Sequence, residues 1–371
     1  MAYTTIDDPS KYFTITLYTG SSNTGHEVTN DANAGDFKPD WLWIKNRSGT
    51  HGTRSHELMD SSRGANKALE SDDSEAEFTR SGTNSFNTNG FTVGDDLGVN
   101  SSASPSVAWQ WKANGGTTSS NTDGSITTTV QANTTAGFSI VTYTGNATDN
   151  ATIGHGLGAT PEWVIIKNRA SSIDWAIGHK SIFGNNAENT RFNTGAAASA
   201  DDAAGSHFSR NAPSSTVITL GDGGDGDFST DTNRAETHVA YCFTSIKGYS
   251  KIGSYTGNGN ADGPFLYLGF RPKFIIIKRT DTTGSWFLID SVRDINTLGA
   301  ANTKGSAEAQ HQQLFADASD AESTYNSSAG DFLSNGYKLK GTNASTNANG
   351  GTFIYMAFAE HPFVSSKGVP V

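Results

Sequence analysis

The chain has a single cysteine, Cys242, in 371 residues, which rules out an intramolecular disulfide framework and points to folding in a reducing cytosol. Cationic residues are also scarce: 26 Lys and Arg stand against 37 Asp and Glu, for a formal net charge of −11. Releasing counterions from a phosphate backbone needs a dense basic patch, so neither nucleic acid nor an anionic membrane surface is an expected partner. The longest apolar runs are about seven residues, well short of the roughly 20 that span a bilayer, and no membrane insertion is expected. Met1 to Asp8 carries neither a basic region nor an apolar stretch and does not read as a secretory signal. Coiled-coil heptads and a long regular shaft repeat are lacking too.

What the chain has is glycine (41 residues), abundant Ser, Thr and Asn, and enough bulk in 7 Trp, 20 Phe and 11 Tyr to argue against disorder. That composition suits short strands joined by polar turns. One stretch occurs three times: Pro39-Asp40-Trp41-Leu42-Trp43-Ile44-Lys45, Pro161-Glu162-Trp163-Val164-Ile165-Ile166-Lys167 and Pro272-Lys273-Phe274-Ile275-Ile276-Ile277-Lys278. A nearly unbroken apolar run opened by proline predicts a strand buried on both faces. Tyr-Thr-Gly precedes it each time, at Tyr18 to Gly20, Tyr143 to Gly145 and Tyr255 to Gly257.

Further landmarks follow in the same order. Asp60-Ser61-Ser62-Arg63 and Asp290-Ser291-Val292-Arg293 are matching turns, and Leu69, Asp72, Ser74, Glu75, Ala76 and Glu77 match Leu314, Asp317, Ser319, Asp320, Ala321 and Glu322 at identical spacing. In the second repeat the Ala/Asp-rich run Gly195 to Gly205 takes that place. Asn89-Gly90 and Asn335-Gly336 predict hairpin turns, and Ser306 to Phe315 a short helix. Alternating aromatic strands close each repeat at Trp109-Gln110-Trp111, Tyr241-Cys242-Phe243 and Met356-Ala357-Phe358. The expected fold is all-β: three tandem antiparallel β-sandwich repeats, jelly-roll or lectin-like, of about 110 residues each. Repeat 1 spans residues 1–112, repeat 2 spans 137–247 and repeat 3 spans 248–371. Residues 113–136 read as a Gly/Ser/Thr-rich linker with a strand at Ser125 to Val130. Three small cores are expected, with repeats 2 and 3 a fixed pair and repeat 1 the more independent unit.

Motifs that carry chemistry fail in their context. Gly154-His155-Gly156-Leu157-Gly158-Ala159 and Gly221-Asp222-Gly223-Gly224-Asp225-Gly226 fit the dinucleotide glycine pattern, but no helix follows either one to hold a pyrophosphate, and no cofactor is expected. Asp222, Asp225 and Asp227, or Asp95 with Asp96, could offer oxygens to Ca²⁺; without a ligand loop they read as acidic turns, and no metal is assigned. The nine histidines, at 26, 51, 56, 155, 179, 207, 238, 311 and 361, show no zinc spacing. His179 and His361 stand at strand ends with no nameable partner acid, and Cys242 alternates into an apolar strand as a buried thiol. Glycoside hydrolysis needs two carboxylates roughly 5–9.5 Å apart, and nothing selects such a pair. Trp41, Trp43, Trp109 and Trp111 read as a core face in preference to a sugar platform. No catalytic residue is assigned, and the chain is not expected to be an enzyme.

These landmarks resemble a family of tailed-phage and prophage virion proteins, common in marine phages. The resemblance is carried by Tyr12-Phe13 with Leu17-Tyr18-Thr19-Gly20, Phe37-Lys38-Pro39-Asp40-Trp41 with Ile44-Lys45-Asn46-Arg47, and Asn121-Thr122-Asp123-Gly124-Ser125-Ile126. It continues through Gly137-Phe138-Ser139-Ile140-Val141, Gly154 to Gly158, Val239 to Phe243, Gly248 to Gly257, and Ala357-Phe358-Ala359-Glu360-His361-Pro362-Phe363. It implies a lectin-like β module located in the virion and assembled in the host cytoplasm. The expected role is that of a non-enzymatic structural protein, tail-associated or on an appendage, contacting other virion proteins as a homo-oligomer in the particle and aiding host adsorption. Two alternatives are a carbohydrate-binding adhesin, meeting a host surface glycan through the loops Asn66 to Phe78, Asn185 to Gly205 and Asn302 to Thr324, and a capsid decoration knob. A glycan depolymerase is the remaining one.

Overall fold

A computed structural model of the chain describes residues 4–30, 37–50, 52–183, 188–200, 207–209, 211–221, 230–293, 311–325 and 330–370. Strand makes up 45% and helix 4%, in antiparallel sheets with no barrel, so the fold class is all-β. The first principal sheet runs, neighbour by neighbour, Phe13–Thr19, Pro105–Trp111, Trp41–Asn46, Glu57–Asp60, Lys67–Glu70 and Phe78–Thr79. Another has the same order in Ser250–Thr256, Thr352–Pro362, Phe270–Arg279, Phe287–Asp290, His311–Phe315 and Ser323–Tyr325. Between them in sequence, Phe138–Thr144, Thr237–Phe243, Trp163–Asn168, Ala176–His179, Glu188–Arg191 and Ser199–Ala200 repeat it again. Each principal sheet is accompanied by a small one: His26–Thr29 with Gly90–Val93 and Thr83–Asn87, Thr152–Gly154 with Val217–Thr219, and Asp262–Tyr267 with Gly336–Lys340 and Gly330–Leu333. A principal sheet with its small sheet is called a module below.

The proline-opened strands are buried on both faces because each face meets a different core. Trp41 and Trp43, Trp163 and Ile165, and Phe274 and Ile276 join one cluster that draws on all three modules. The intervening Leu42 and Ile44, Val164 and Ile166, and Ile275 and Ile277 turn outward into three separate clusters beneath the small sheets. Period-two alternation does the sorting. In the shared cluster the Trp41 ring lies 4.6 Å from Trp111 and 4.5 Å from Tyr241 of the next module, while Phe13 stacks 5.0 Å from Phe358 of the third. A buried tryptophan removes some 150–250 Å² from water, or about 4–6 kcal/mol before chain entropy is charged. The three expected small cores are present as the clusters beneath the small sheets. The independence of the first unit is corrected: the largest aromatics of all three modules fill one further, shared centre, and Trp41, Trp43, Trp109 and Trp111 are part of it.

Tyr-Thr-Gly acquires a physical reason. Tyr18, Tyr143 and Tyr255 donate their hydroxyls to the carbonyls of Val99, Thr232 and Thr346, in the one-turn helices Leu97–Asn100, Thr230–Asn233 and Ala344–Asn347. The last residues of these helices, Asn100, Asn233 and Asn347, are fully buried and bond the backbone of the loop after the glycine. A Cβ on Gly20, Gly145 or Gly257 would come 2.1, 2.2 or 2.2 Å from the carbonyl oxygens of Ser101, Arg234 or Ala348. Glycine is demanded there by the approach of a neighbouring backbone.

Three local expectations change. His311–Phe315 is a strand paired with Phe287–Asp290, so the helix ending at Phe315 is not formed; Ser306 to Gln310 lies outside the described residues. Its apolar Leu314 is needed as a sheet partner of Leu288 in the shared core, and tertiary pairing overrides local propensity. In the hairpins the two-residue turns are Thr88-Asn89 and Ser334-Asn335, because Asn87 pairs with Gly90 and Leu333 with Gly336. Those glycines serve the third strand, where a Cβ would lie 2.1 Å from the Val28 oxygen and 2.2 Å from the Leu266 oxygen. Finally, the linker is ordered: Ser119–Asn121 and Thr128–Asn133 extend the second module's sheet past Phe138–Thr144.

Candidate functional site

A buried polar network lies where modules meet, and it occurs twice in the same form. Asp60, fully buried, accepts from the backbone of Ser62 and Arg63 through Oδ1, and through Oδ2 from Arg63 Nε at 2.5 Å and from the Tyr241 hydroxyl of the next module at 2.8 Å. Arg63 passes on to Glu77 at 3.0 Å, and Glu77 accepts a two-pronged bond from Arg169 of the next module at 2.8 and 2.9 Å. At another junction Asp290 holds Val292, Arg293 and, at 3.0 Å, the Trp109 indole of the first module. Arg293 reaches Glu322 at 2.8 Å, and Glu322 is gripped by Arg47 of the first module at 2.9 and 2.5 Å. Burial alone would raise the Glu77 carboxyl, but Arg169 and Arg63 outweigh it and hold it below its usual range.

Among the described residues, the remaining junction has other residues at the matching positions. Sheet register sets His179 against Asp60 and Asp290, and Met356 against Tyr241 and Trp109. Counting on along the chain puts Ile182 in the place of the arginines and Thr280 in that of Arg169 and Arg47, and Ala198 takes the place of the glutamates. The backbone contact survives: Ala198 donates to the Thr280 carbonyl at 3.0 Å, as Glu77 does to Arg169 at 2.9 Å and Glu322 to Arg47 at 3.0 Å. His179 Nδ1 still accepts from the turn amide of Ser181 at 3.0 Å, in place of an aspartate oxygen. A buried ion network that loses one member leaves an uncompensated charge, so the substitution has to be collective.

A lysine seals each seam. Lys45 reaches the Ser319 carbonyl at 3.3 Å, Lys167 that of Ser74 at 3.0 Å and Lys278 that of Gly195 at 3.0 Å, in each case the neighbouring module. Burial pulls all three ammonium groups down to about 8, nearby carboxylates notwithstanding. Unfolded lysine titrates near 10.4, so between about 8 and 10.4 the unfolded chain holds more protons and folding is favoured by raising the pH. Glu57 acts in the opposite sense: burial and then Asp96 push it up to about 8, so its contribution is lost as pH rises towards 8. The expected result is a stability minimum near pH 8, with a gain on the order of 1–2 kcal/mol per lysine by pH 9.5, offset in part by the Cys242 thiol, which burial keeps protonated while the unfolded thiol titrates. Urea midpoints at pH 6.5, 8 and 9.5 measure it, and a monotonic fall above pH 8 contradicts it.

The residues singled out in the sequence fall elsewhere or into structural roles. Trp41, Trp43, Trp109 and Trp111 are buried in the shared core. Cys242 is buried, and burial pushes its thiol up to about 12. His179 is seam structure, drawn down to about 3 by burial; His361 sits on the last long strand opposite Arg271. Asp96 caps the helix Leu97–Asn100 through Gly98 N at 2.7 Å, and Gly154 to Ala159 is a strand end and turn with no helix after it. Asp222, Asp225 and Asp227 lie outside the described residues. Among the described residues no three His, Cys, Asp or Glu side chains are placed to hold a metal, and no helix is long and apolar enough to cross a membrane. Of the loops expected to face a glycan, Ser74 and Glu77, Gly195 and Ala198, and Ser319 and Glu322 are committed to seams. Tyr241, Arg169, Arg47 and Thr280 were missed as seam residues. The matched turns and the matched spacing from Leu69 to Glu77 were the available signal, but their meeting across modules was not.

Sheets and seams together define an all-β protein whose buried polar groups bind its own modules to one another. The chain belongs to the family of a domain of unknown function (DUF7483), which matches residues 8–362. No curated protein and no solved structure matches it.

Proposed function

We propose that the chain is a non-enzymatic structural protein of the tailed-phage virion, exposed on the particle as a tail-associated or appendage component and contributing to host adsorption. The observation that carries this reading is the run of motifs from Tyr12-Phe13 to His361-Pro362-Phe363, which resembles virion proteins over nearly the whole chain. Support comes from where those motifs fall: Tyr18 to Gly20 locks a helix to a sheet edge, Trp41 enters the shared core, and Lys45 and Arg47 bind across a seam. The resembling residues build the scaffold. A body held by interlocked modules without disulfides suits a component that must keep its shape on a particle.

Mass spectrometry of purified particles is expected to find the chain at stoichiometric abundance, and antibody labelling to place it on the tail. Absence from purified particles overturns the reading. Label confined to the head replaces the tail assignment with capsid decoration.

A further inference from the structure

The third module's small sheet presents a face unlike its counterparts. In Asp262–Tyr267, Leu266 points inward while Phe265 and Tyr267 point out, 43% and 52% exposed. On the adjoining strand Tyr337 and Leu339 are buried, which turns Gly336, Lys338 and Lys340 outward; on the last, buried Phe332 leaves Asp331 and Leu333 outside. Cross-strand pairing sets Phe265, Lys338 and Asp331 in one row and Tyr267, Gly336 and Leu333 in the next. Because Gly336 has no side chain, the Phe265 ring settles over it, with its edge 2.7 Å from where a Cβ would stand. Covering a glycine accounts for Phe265. It does not account for Tyr267.

The chain contains its own comparison. Val28 pairs with Phe91 as Leu266 pairs with Tyr337, so the outward flanking positions of the first module are Glu27 and Thr29; around Ile153 in the second they are Thr152 and Gly154. The same scaffold is thus built twice without outward aromatics, and packing does not require them. Around the rings the charges are matched in pairs, Lys338 with Asp262 at 2.8 Å and Lys340 with Asp331 at 3.3 Å. Lys251 donates to the Tyr267 carbonyl at 2.6 Å, with its ammonium 5.4 Å from the Tyr267 ring.

We propose that this face, centred on Phe265 and Tyr267, is a stacking platform for a neutral oligosaccharide. The C–H face of a pyranose is apolar and flat enough to lie on an exposed ring, while its hydroxyls reach outward to paired lysine and carboxylate side chains. Lys338 and Lys340 are paired with carboxylates and Lys251 is held by the Tyr267 carbonyl, so the face offers a polyanion no cluster of free cations. A docking protein covers a contiguous apolar patch, whereas Lys338 and Asp331 interrupt this one. None of the seam residues described above lies on the three strands of the platform. It goes beyond the structural role proposed above and does not depend on it, since sugar binding is read on the isolated chain and incorporation on particles.

The test titrates the full chain with β-glucan, α-glucan and mannan hexasaccharides, following binding by saturation-transfer NMR and calorimetry. At least one is expected to bind with a Kd on the order of 0.1–10 mM. The variant Phe265→Glu/Tyr267→Thr installs the residues of the first module and is expected to unfold at the wild-type temperature while binding at least tenfold more weakly. The proposal is overturned if none of the three binds at 10 mM, or if the variant binds as wild type does. Self-association in sedimentation that disappears in the variant also overturns it, by showing the face to be a contact between copies.

Discussion

Replacing Asp290 by asparagine is expected to lower unfolding free energy by about 3–5 kcal/mol, the range for breaking a buried ion pair by removing one partner. The change is isosteric, so lost volume plays no part. Asp290 Oδ2 takes two donors, Arg293 Nε and the Trp109 indole, while Oδ1 takes two backbone amides of its own turn. An amide provides one acceptor oxygen for four donors and turns two N–H groups on groups that are themselves donors. Arg293, whose side chain is fully buried, then has only Glu322 to balance it, and Glu322 is shared with Arg47. Urea unfolding at constant slope measures the loss. A cost below about 1 kcal/mol shows that the network contributes little, as isolated surface pairs do.

The junction that lacks the aspartate–arginine–glutamate network supplies the matching rescue. His179 and Ile182 occupy the positions of Asp290 and Arg293, and the turn there closes with His179 Nδ1 as acceptor. Asp290→His combined with Arg293→Ile removes both buried charges at once and leaves Glu322 with Arg47. It is expected to be less damaging than the single asparagine change, even though it alters more atoms. Removing an intact pair is often near neutral, whereas orphaning one member is not. A double variant less stable than Asp290→Asn contradicts this account of the junctions.

Much of the scaffold was legible because it follows local rules that one chain states three times. Two-faced apolar runs announced the central strands, alternating aromatics announced the closing strands, and an identical spacing from Leu69 to Glu77 and Leu314 to Glu322 marked a shared element. What could not be read was partnership. Asp60 and Tyr241 are 181 positions apart, as are Trp109 and Asp290, and nothing local distinguishes a tryptophan that faces its own sheet's core from one that faces a neighbour's. The same blindness hid the platform: Phe265 and Leu266 are both apolar, and only the register of Leu266 on Tyr337 shows which of them is outside. Tyr-Thr-Gly was visible as a repeated signature, yet its cause lies in a helix some 90 residues further on, at Thr346 for Tyr255.

That cause makes the second large effect predictable. Gly257→Val is expected to cost at least about 3 kcal/mol, at the upper end of what overpacking a tight site produces. The φ of Gly257 is not in the left-handed region, so backbone freedom is not at issue. The obstacle is a carbonyl oxygen of Ala348 at 2.2 Å from the added Cβ, with the Asn347 carbonyl carbon at 2.9 Å. Neither can retreat. Asn347 is fixed by Asn258 N at 2.9 Å and gives its own amide to the carbonyls of Asn260 at 2.9 Å and Gly341 at 2.8 Å, while Tyr255 holds Thr346 at 2.6 Å from below. Moving the helix away to admit the side chain breaks these bonds and uncovers the Tyr255 ring stacked 4.8 Å from Phe353. Gly49→Ala is the control. Among the described residues an added Cβ there meets only Ala321 Cβ at 3.5 Å, an ordinary contact, and the change is expected to lie within about 0.5 kcal/mol of wild type. If calorimetry finds the two substitutions equivalent, the glycine of Tyr-Thr-Gly is not held by the approach of the helix.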